Sequence, residues 1–244
     1  MSANGLERKR SVYIGHDPRQ PLAYNVMRYS VESHASAPVA VSGLFLHQLP
    51  ISRVGATEFT YSRFLVPWLM DFKGIGLFFD EDQVMEGDVW ELFAYCSKLG
   101  DWDIAVMQDQ PRFEWSSAIA FNCAKLTHVT PEFIEDPANG MFDLEWAKKI
   151  ESLPKEWNHG CGMTEPKAAK LYHWSQGIPY WKETRGLEED PIWFQAFESM
   201  VKSGEWMDFH HNTIHFQPVM RRFLRRYGLN LGEGDDEYQE RKRA

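Results

Sequence analysis

The sequence contains few cysteines. Cys96, Cys123 and Cys161 are the only three, they are widely spaced, and no C-x-x-C pair occurs. An odd, scattered set supports neither a disulfide framework nor a zinc knuckle. We therefore expect a protein of a reducing compartment, the cytoplasm.

Long apolar runs are also missing. No uninterrupted apolar stretch approaches the roughly 20 residues that span a bilayer as a helix. The first ten residues are polar and charged, without the apolar centre of a signal peptide. We expect no transmembrane segment.

Basic charge and nucleotide-binding glycine motifs are scarce too. The chain has 26 Lys and Arg against 35 Asp and Glu, a net charge of −9. A general nucleic-acid binder needs a basic field, so nucleic acid is not an expected partner. Neither G-x-G-x-x-G nor G-x-x-x-x-G-K-[ST] occurs, and the Rossmann and P-loop interpretations therefore lack support.

The 244 residues are 43% hydrophobic and 14% aromatic, which is typical of a globular protein with a sizeable core. Strand-like and helix-like segments alternate, which predicts an α/β fold with a mostly parallel sheet flanked by helices. We expect one domain over residues 11–227, with charged, flexible ends at 1–10 and 228–244. The predicted strands are 11–15, 37–46, 75–79, 103–107, 117–122 and 170–173. The predicted helices are 21–34, 57–70 (ending near Pro67), 86–99, 144–152, 192–201 and 213–227, with polar loops at 108–117 and 131–140.

The end of the first predicted strand is a candidate nucleotide contact. Tyr13, Ile14 and Gly15 end that strand, and a loop with Asp17 and two prolines follows. Ligands of α/β sheets bind outside the carboxyl ends of the strands. We expect these four residues on the nucleotide side of a site, although Asp17 also suits a simple turn.

The most informative stretch is Gly74–Asp82, an apolar run that ends in three carboxylates. Acidic side chains at the end of a buried strand are costly unless a positive charge lies beside them. In an extended chain Asp80 and Asp82 point to one side and Glu81 to the other. Two oxygen ligands on one side suit Mg²⁺ or Mn²⁺, and a solvated acidic turn is the alternative.

Several segments together resemble the retaining family 8 glycosyltransferases, the relatives of glycogenin and of the lipopolysaccharide galactosyltransferases. The segment 77–93, LFFDEDQVMEGDVWELF, is similar to the family's "LD-x-D … GD … ELF" signature. Four further segments resemble family motifs in the same order: TYSRFLVP at 60–67, AFN at 120–122, LPKEWN at 153–158 and HWSQGIPYW at 173–181.

The resemblance implies a GT-A fold and the transfer of a sugar, with retention, from a nucleotide-diphosphate sugar, a UDP sugar being expected. It also implies a bound Mn²⁺ or Mg²⁺. On this reading Asp80, Asp82 and His173 hold the metal, while Arg63 and Asn122 face the donor. Gly177 and Lys182 lie in or beside the closing motif and are expected near the diphosphate.

The sequence departs from the family pattern in two places. Pro179 stands where the family has a phosphate-binding lysine, which Lys182 or Lys170 would have to replace. The family's "DQ-x-x-LN" segment has no counterpart, and Asp143 is the loose candidate for its carboxylate. Two rivals therefore remain: a catalytically weak nucleotide-sugar-binding protein, and a nucleotidyltransferase on a similar fold.

The acceptor is not specified by the sequence, and a glycan, a lipid-linked sugar and a protein all remain open. The basic segment Arg221–Arg226 is a candidate for peripheral contact with anionic lipid, and a helix edge paired with the acidic tail is the alternative.

Overall fold

A computed structural model describes residues 9–109, 111–164 and 169–203 of the chain. The strands are β1 (Arg10–Gly15), β2 (Ala40–Leu44), β3 (Ile75–Phe79), β4 (Gln83–Met85), β5 (Ile104–Val106), β6 (Ala118–Asn122), β7 (Ile150–Ser152), β8 (His159–Gly160) and β9 (Leu171–His173). The α-helices are α1 (Pro21–His34), α2 (Phe59–Ser62), α3 (Val66–Leu69), α4 (Val89–Cys96), α5 (Pro131–Glu135) and α6 (Asp190–Ser203).

The main sheet has six strands in the order β2-β1-β3-β6-β5-β7. The pairs β1–β2, β1–β3 and β5–β7 are parallel, whereas β6 runs antiparallel to both of its neighbours. The predicted α/β fold with a mostly parallel sheet is therefore confirmed. Because β6 is reversed, its first residue, Ala118, lies opposite the last residue of β3, Phe79.

A second sheet of three short strands has the order β4-β9-β8. It places Gln83 of β4 opposite His173 of β9, and Gly160 of β8 also opposite His173. The chain thus passes from the main sheet into the small one through residues 80–82, the acidic turn predicted above.

Both faces of the main sheet are buried, so its central strands are apolar on both sides. Leu77 and Phe79 of β3 pack into a cluster that contains residues of α1 and α4. Phe78 packs on the opposite face, in a cluster that contains Phe64 and Val66. Burial on both faces explains why residues 75–79 read as a continuous apolar run.

Several predicted elements differ from the structure. The predicted helix 57–70 is divided into α2, a 3-10 turn and α3, and Pro67 lies in the first turn of α3 instead of ending a helix. Proline is tolerated there because its missing N–H has no partner in a first turn. The predicted loop 131–140 begins with α5, which Thr130 caps by accepting a hydrogen bond from the Phe133 N–H.

The predicted helix 144–152 is wrong, since its last residues form β7 at the edge of the main sheet. The strand β4 was missed because its three buried residues directly follow the acidic turn. The predicted helix 213–227, the segment Arg221–Arg226, residues 1–8 of the predicted flexible end 1–10 and the end 228–244 lie outside the described residues. Arg10, predicted in that flexible end, begins β1. The predicted domain end at 227 also lies outside them, while the described residues up to Met200 belong to one compact unit. Within the described ranges no helix is both long enough and apolar enough to cross a bilayer.

Candidate functional site

The site lies where the two sheets meet, at the acidic turn 80–82. The Asp80 N–H donates to the Ser117 carbonyl (2.9 Å), which extends the pairing of β3 with β6 by one residue. The Trp174 N–H donates to the Asp82 carbonyl (3.0 Å), which joins the turn to the residue after β9. The turn is thus held between the start of β6 and the end of β9.

Asp80, Asp82 and His173 converge at this junction. One ligand atom from each, a carboxylate oxygen or an imidazole nitrogen, lies within 4.8 Å of the others. The His173 ring is buried, and its Nε2 lies 3.3 Å from Asp82 Oδ1. Oδ1 of Asp80 and Oδ1 of Asp82 are both shielded from solvent and accept no hydrogen bond from the described residues.

Arg63 supplies a fixed positive charge beside this cluster. Its side chain is buried, and Nη1 lies 3.1 Å from Asp80 Oδ1, an ion-pair distance without hydrogen-bond geometry. Its Nε donates to the Thr60 carbonyl (3.1 Å) and its Nη1 to the Ser116 carbonyl (2.6 Å). The guanidinium therefore holds Asp80 in place from inside the protein.

The charges at the junction perturb each other. Burial raises the pKa of Asp80, and nearby Asp82 raises it further, while Arg63 acts in the opposite direction. Burial alone would lower the pKa of His173, but the Asp82 and Glu114 carboxylates outweigh it and raise that pKa to about 10. The enclosed carboxylates thus need positive charge, as a buried acidic cluster does.

Glu114 is a member of the site that the sequence interpretation missed. It lies in a 3-10 helix, Arg112–Ser117, which leads into β6, and its buried Oε2 is 3.2 Å from His173 Nδ1. A carboxylate in this position fixes the ring orientation of a ligating histidine. The segment was predicted as a polar loop, and only the reversal of β6 would have indicated that it reaches the acidic turn.

Glu81 points away from the cluster, as the alternation predicts. Its Oε2 accepts a hydrogen bond from the Asp17 N–H (2.9 Å), which ties the loop after β1 to the acidic turn. Burial raises the pKa of Glu81 to about 10. This carboxyl group therefore serves as a buried connector and not as a metal ligand.

Asp17 lies beside the site, but its carboxylate is engaged within its own loop. Oδ1 accepts from Arg19 Nε (2.8 Å), and Oδ2 accepts from Arg19 Nη2 (2.6 Å) and from the Glu58 N–H (3.3 Å). The side chain is almost fully buried. In this conformation Asp17 orders the loop and offers no free oxygen to a ribose.

The other residues predicted at the end of β1 are core residues. The Tyr13 and Ile14 side chains are buried on opposite faces of the sheet, and burial raises the pKa of Tyr13 to about 12. Gly15 is in close contact with the Phe59 ring, because a Cβ at this position would lie 2.5 Å from it. Only backbone atoms of this strand end are therefore available to a ligand.

One predicted donor-side residue, Asn122, is not brought to the cluster. Asn122 pairs with Ile75 at the far end of β3, four strand residues or about 13 Å from the end that bears Asp80. Its Nδ2 donates to the Trp102 carbonyl (3.0 Å). Asp143 is exposed and its Oδ1 accepts from the Glu145 N–H (3.0 Å).

The predicted diphosphate residues follow β9. Gly177 adopts φ +121°, a conformation that L side chains rarely take. Lys182 is exposed, five residues beyond that turn. Lys170, the other candidate to replace the family lysine, pairs with Glu91 and lies over the Trp157 ring at the other end of β9.

The chemistry of the junction fits a divalent cation. Two carboxylate oxygens and one imidazole nitrogen form a donor set that Mn²⁺ accepts well and Mg²⁺ accepts in part. Oδ1 of Asp80 lies beside the Arg63 guanidinium and Oδ1 of Asp82 beside the His173 ring, and neither oxygen accepts a hydrogen bond from the described residues. A hydrogen-bonded surface turn would instead leave these oxygens paired or in water.

Solved structures share this architecture. The bifunctional glycosyltransferase WbbM superimposes with a TM-score of 0.56 at 15% identity, over 79% of this chain and 51% of that one. The glycosyltransferase GlyE of Streptococcus pneumoniae gives 0.56 at 14% identity, over 82% of this chain and 65% of that one. The fold is the GT-A fold. The chain spans about half of WbbM and just under two thirds of GlyE.

One curated relative is similar in sequence over most of its length. Protein CDI of Arabidopsis thaliana is 27% identical over 241 residues, which is 83% of this chain and 92% of that protein. No protein-family model matches the chain.

Proposed function

We propose that this protein is a metal-dependent glycosyltransferase that uses a nucleotide-diphosphate sugar, with UDP as the nucleotide. The observation that carries the proposal is the convergence of Asp80, Asp82 and His173, in which one buried oxygen of each carboxylate accepts no hydrogen bond from the described residues. The shared GT-A fold supports it, because WbbM and GlyE are glycosyltransferases.

In this proposal Asp80, Asp82 and His173 hold a divalent cation, Mn²⁺ or Mg²⁺. When bound, such an ion neutralises negative charge on the diphosphate of the donor. The surrounding residues prepare its site: Arg63 fixes Asp80, and Glu114 fixes the His173 ring. Prepositioned charges of this kind contribute to catalysis because they need no rearrangement during the reaction.

The preference for UDP and the retention of anomeric configuration rest on the sequence resemblance to family 8. We propose that the transferred sugar is a hexose. A glycan, a lipid-linked sugar and a protein are the three acceptor classes to be assayed. Arg63 acts in this proposal as a positioning residue. Asn122 has no role in it, because it ends β6 at the edge of the sheet away from Asp80.

The test compares binding of UDP and UMP by calorimetry, with Mn²⁺ and after chelation. We expect UDP to bind more tightly than UMP only in Mn²⁺, because two phosphates can chelate the ion. Asp82→Asn should abolish this difference, since an amide keeps the shape and loses the charge. Asp101→Asn is the matched control, an exposed aspartate paired only with surface lysines. Equal affinities for UDP and UMP, or full Mn²⁺ dependence in Asp82→Asn, would refute the proposal.

Turnover needs a separate measurement, because the carboxylate and amide of the family's "DQ" segment have no counterpart at the site. Release of UDP from UDP sugars in Mn²⁺ would establish transfer or hydrolysis. Tight, metal-dependent binding without any release would favour the nucleotide-sugar-binding protein instead. Incorporation of the nucleotide into product with release of pyrophosphate would identify a nucleotidyltransferase.

A further inference from the structure

A second cluster of ligand-type side chains lies between the end of β8 and the start of α6. His159 belongs to β8, Cys161 follows it, and Glu189 immediately precedes α6. One ligand atom from each lies within 4.8 Å of the others, and all three residues are at least 95% buried. The cluster shares no residue with the Asp80–Asp82–His173 group.

Main-chain pairing fixes the positions of two of these residues. β8 is hydrogen-bonded to β9, with His159 opposite Tyr172, and the Cys161 N–H donates to the His173 carbonyl (2.9 Å). His159 and Cys161 are two residues apart in this extended segment, so their side chains leave the same side of it. The H-x-C spacing therefore presents a nitrogen and a sulfur to one point.

The hydrogen bonds of His159 leave one ring nitrogen directed at the other ligands. Its Nδ1 lies 2.7 Å from Thr164 Oγ1, which in turn lies 3.2 Å from the Gly160 carbonyl. A threonine hydroxyl that donates to Gly160 accepts from Nδ1–H, and Nε2 then carries the lone pair. Nε2 lies 3.0 Å from Glu189 Oε1. In this tautomer two acceptors face each other, and either a proton on Nε2 or a shared cation satisfies both.

We propose that His159, Cys161 and Glu189 bind a Zn²⁺ ion through one nitrogen, one sulfur and one oxygen. Zinc takes sulfur, nitrogen and carboxylate ligands together, whereas Mn²⁺ and Mg²⁺ prefer oxygen. A thiolate and a carboxylate balance the 2+ charge, which suits a buried site. Thr164 is the outer partner that orients the ligating imidazole, as such sites require.

Zinc binding here must displace the thiol proton of Cys161. Burial raises the pKa of this thiol, and the nearby Glu189 carboxylate raises it further. The S–H bond breaks, the Zn–S bond forms, and the proton passes to solvent or buffer, so uptake of one ion releases one proton from sulfur. The ion would join β8 and the turn after it to the start of α6.

Cobalt is the probe for this site, because a cobalt–thiolate bond gives a charge-transfer absorption band that oxygen and nitrogen ligands do not. The full chain is stripped with a chelator and titrated with Co²⁺. We expect a thiolate band that saturates at one equivalent and is removed by one equivalent of Zn²⁺. The Asp80–Asp82–His173 group contains no sulfur, so Asp82→Asn should leave the band unchanged.

The three cysteines provide matched controls. Cys161→Ser should abolish the band, whereas Cys96→Ser and Cys123→Ser should keep it, because these equally buried cysteines belong to no such cluster within the described residues. Glu189→Gln should keep the band and weaken Co²⁺ binding by at least about tenfold. Absence of a band from the wild-type chain, or a band that persists in Cys161→Ser, would overturn the proposal. If Cys161→Ser does not fold, unchanged Co²⁺ affinity in Glu189→Gln would overturn it instead.

Discussion

Replacing Glu114 by glutamine tests whether this residue positions His173. The Glu114 carboxylate lies 3.2 Å from His173 Nδ1, and both groups are buried. Glutamine keeps the length and shape of the side chain, but it removes the negative charge. The substitution therefore isolates the charge-assisted part of the contact.

The expected magnitude follows from this geometry. Loss of an outer partner of a ligating histidine costs about 10- to 100-fold in metal affinity, or about 1.4–2.7 kcal/mol. Glu114→Gln keeps the shape of the contact and loses only its charge. We expect a loss of about tenfold for Glu114→Gln and a loss closer to 100-fold for Glu114→Ala.

The assay is UDP affinity measured by calorimetry over a series of Mn²⁺ concentrations. In the variant the curve should shift to higher Mn²⁺ and reach the same affinity at saturation. Glu145→Gln is the control, since Glu145 is exposed and belongs to no ligand cluster of the described residues. A purely structural role would lower the melting temperature and leave the Mn²⁺ dependence unchanged. Superimposable curves for wild type and Glu114→Gln would refute the reasoning.

Three further changes test neighbouring contacts. His173→Ala should weaken metal and UDP binding together by about tenfold or more, and an unchanged Mn²⁺ titration would return His173 to a core role. Arg63→Gln leaves Asp80 buried without its ion-pair partner. Urea unfolding should show that the free energy of unfolding falls by about 3–5 kcal/mol, and that adding Asp80→Asn partly restores it. Additive effects of the two changes would contradict the pairing. Burial raises the pKa of Asp17, but hydrogen bonds from Arg19 and from the Glu58 N–H outweigh burial. The net effect is a pKa below the ordinary 3.8. The stability that Asp17 contributes is therefore present above that value and lost as the pH falls through the folded pKa. Asp17→Asn should destabilise the protein at neutral pH and converge with wild type in acid, and a gap that persists in acid would disprove this linkage.

The sequence predicted the parts of the fold that local patterns control. The apolar run before Asp80 is buried on both faces, and α1 begins at Pro21 and ends at His34 as its spacing indicated. The motif resemblance also selected Asp80, Asp82 and His173, which the structure brings together. The metal itself remains a prediction.

The errors arise where tertiary pairing decides the outcome. Ile150 has helical spacing with Leu144 and Ala147, yet residues 150–152 pair with β5 as a strand. Asn122 was placed at the donor by the motif resemblance, but β6 is antiparallel and its last residue lies opposite the first residue of β3. Glu114 was missed for the same reason, since strand direction is a property of the whole sheet and leaves no signature in a short segment.

The reversed strand β6 also couples sheet register to assembly of the site. β6 pairs on both sides, with Ile119 opposite Phe78 of β3 and opposite Val106 of β5. A slip of one residue would turn its side chains to the other face and shift Glu114 by about 3.3 Å from His173. A ligand that binds only the completed cluster adds its binding free energy to the native register alone. Donor binding would thus increase the population of the native strand alignment relative to misaligned ones.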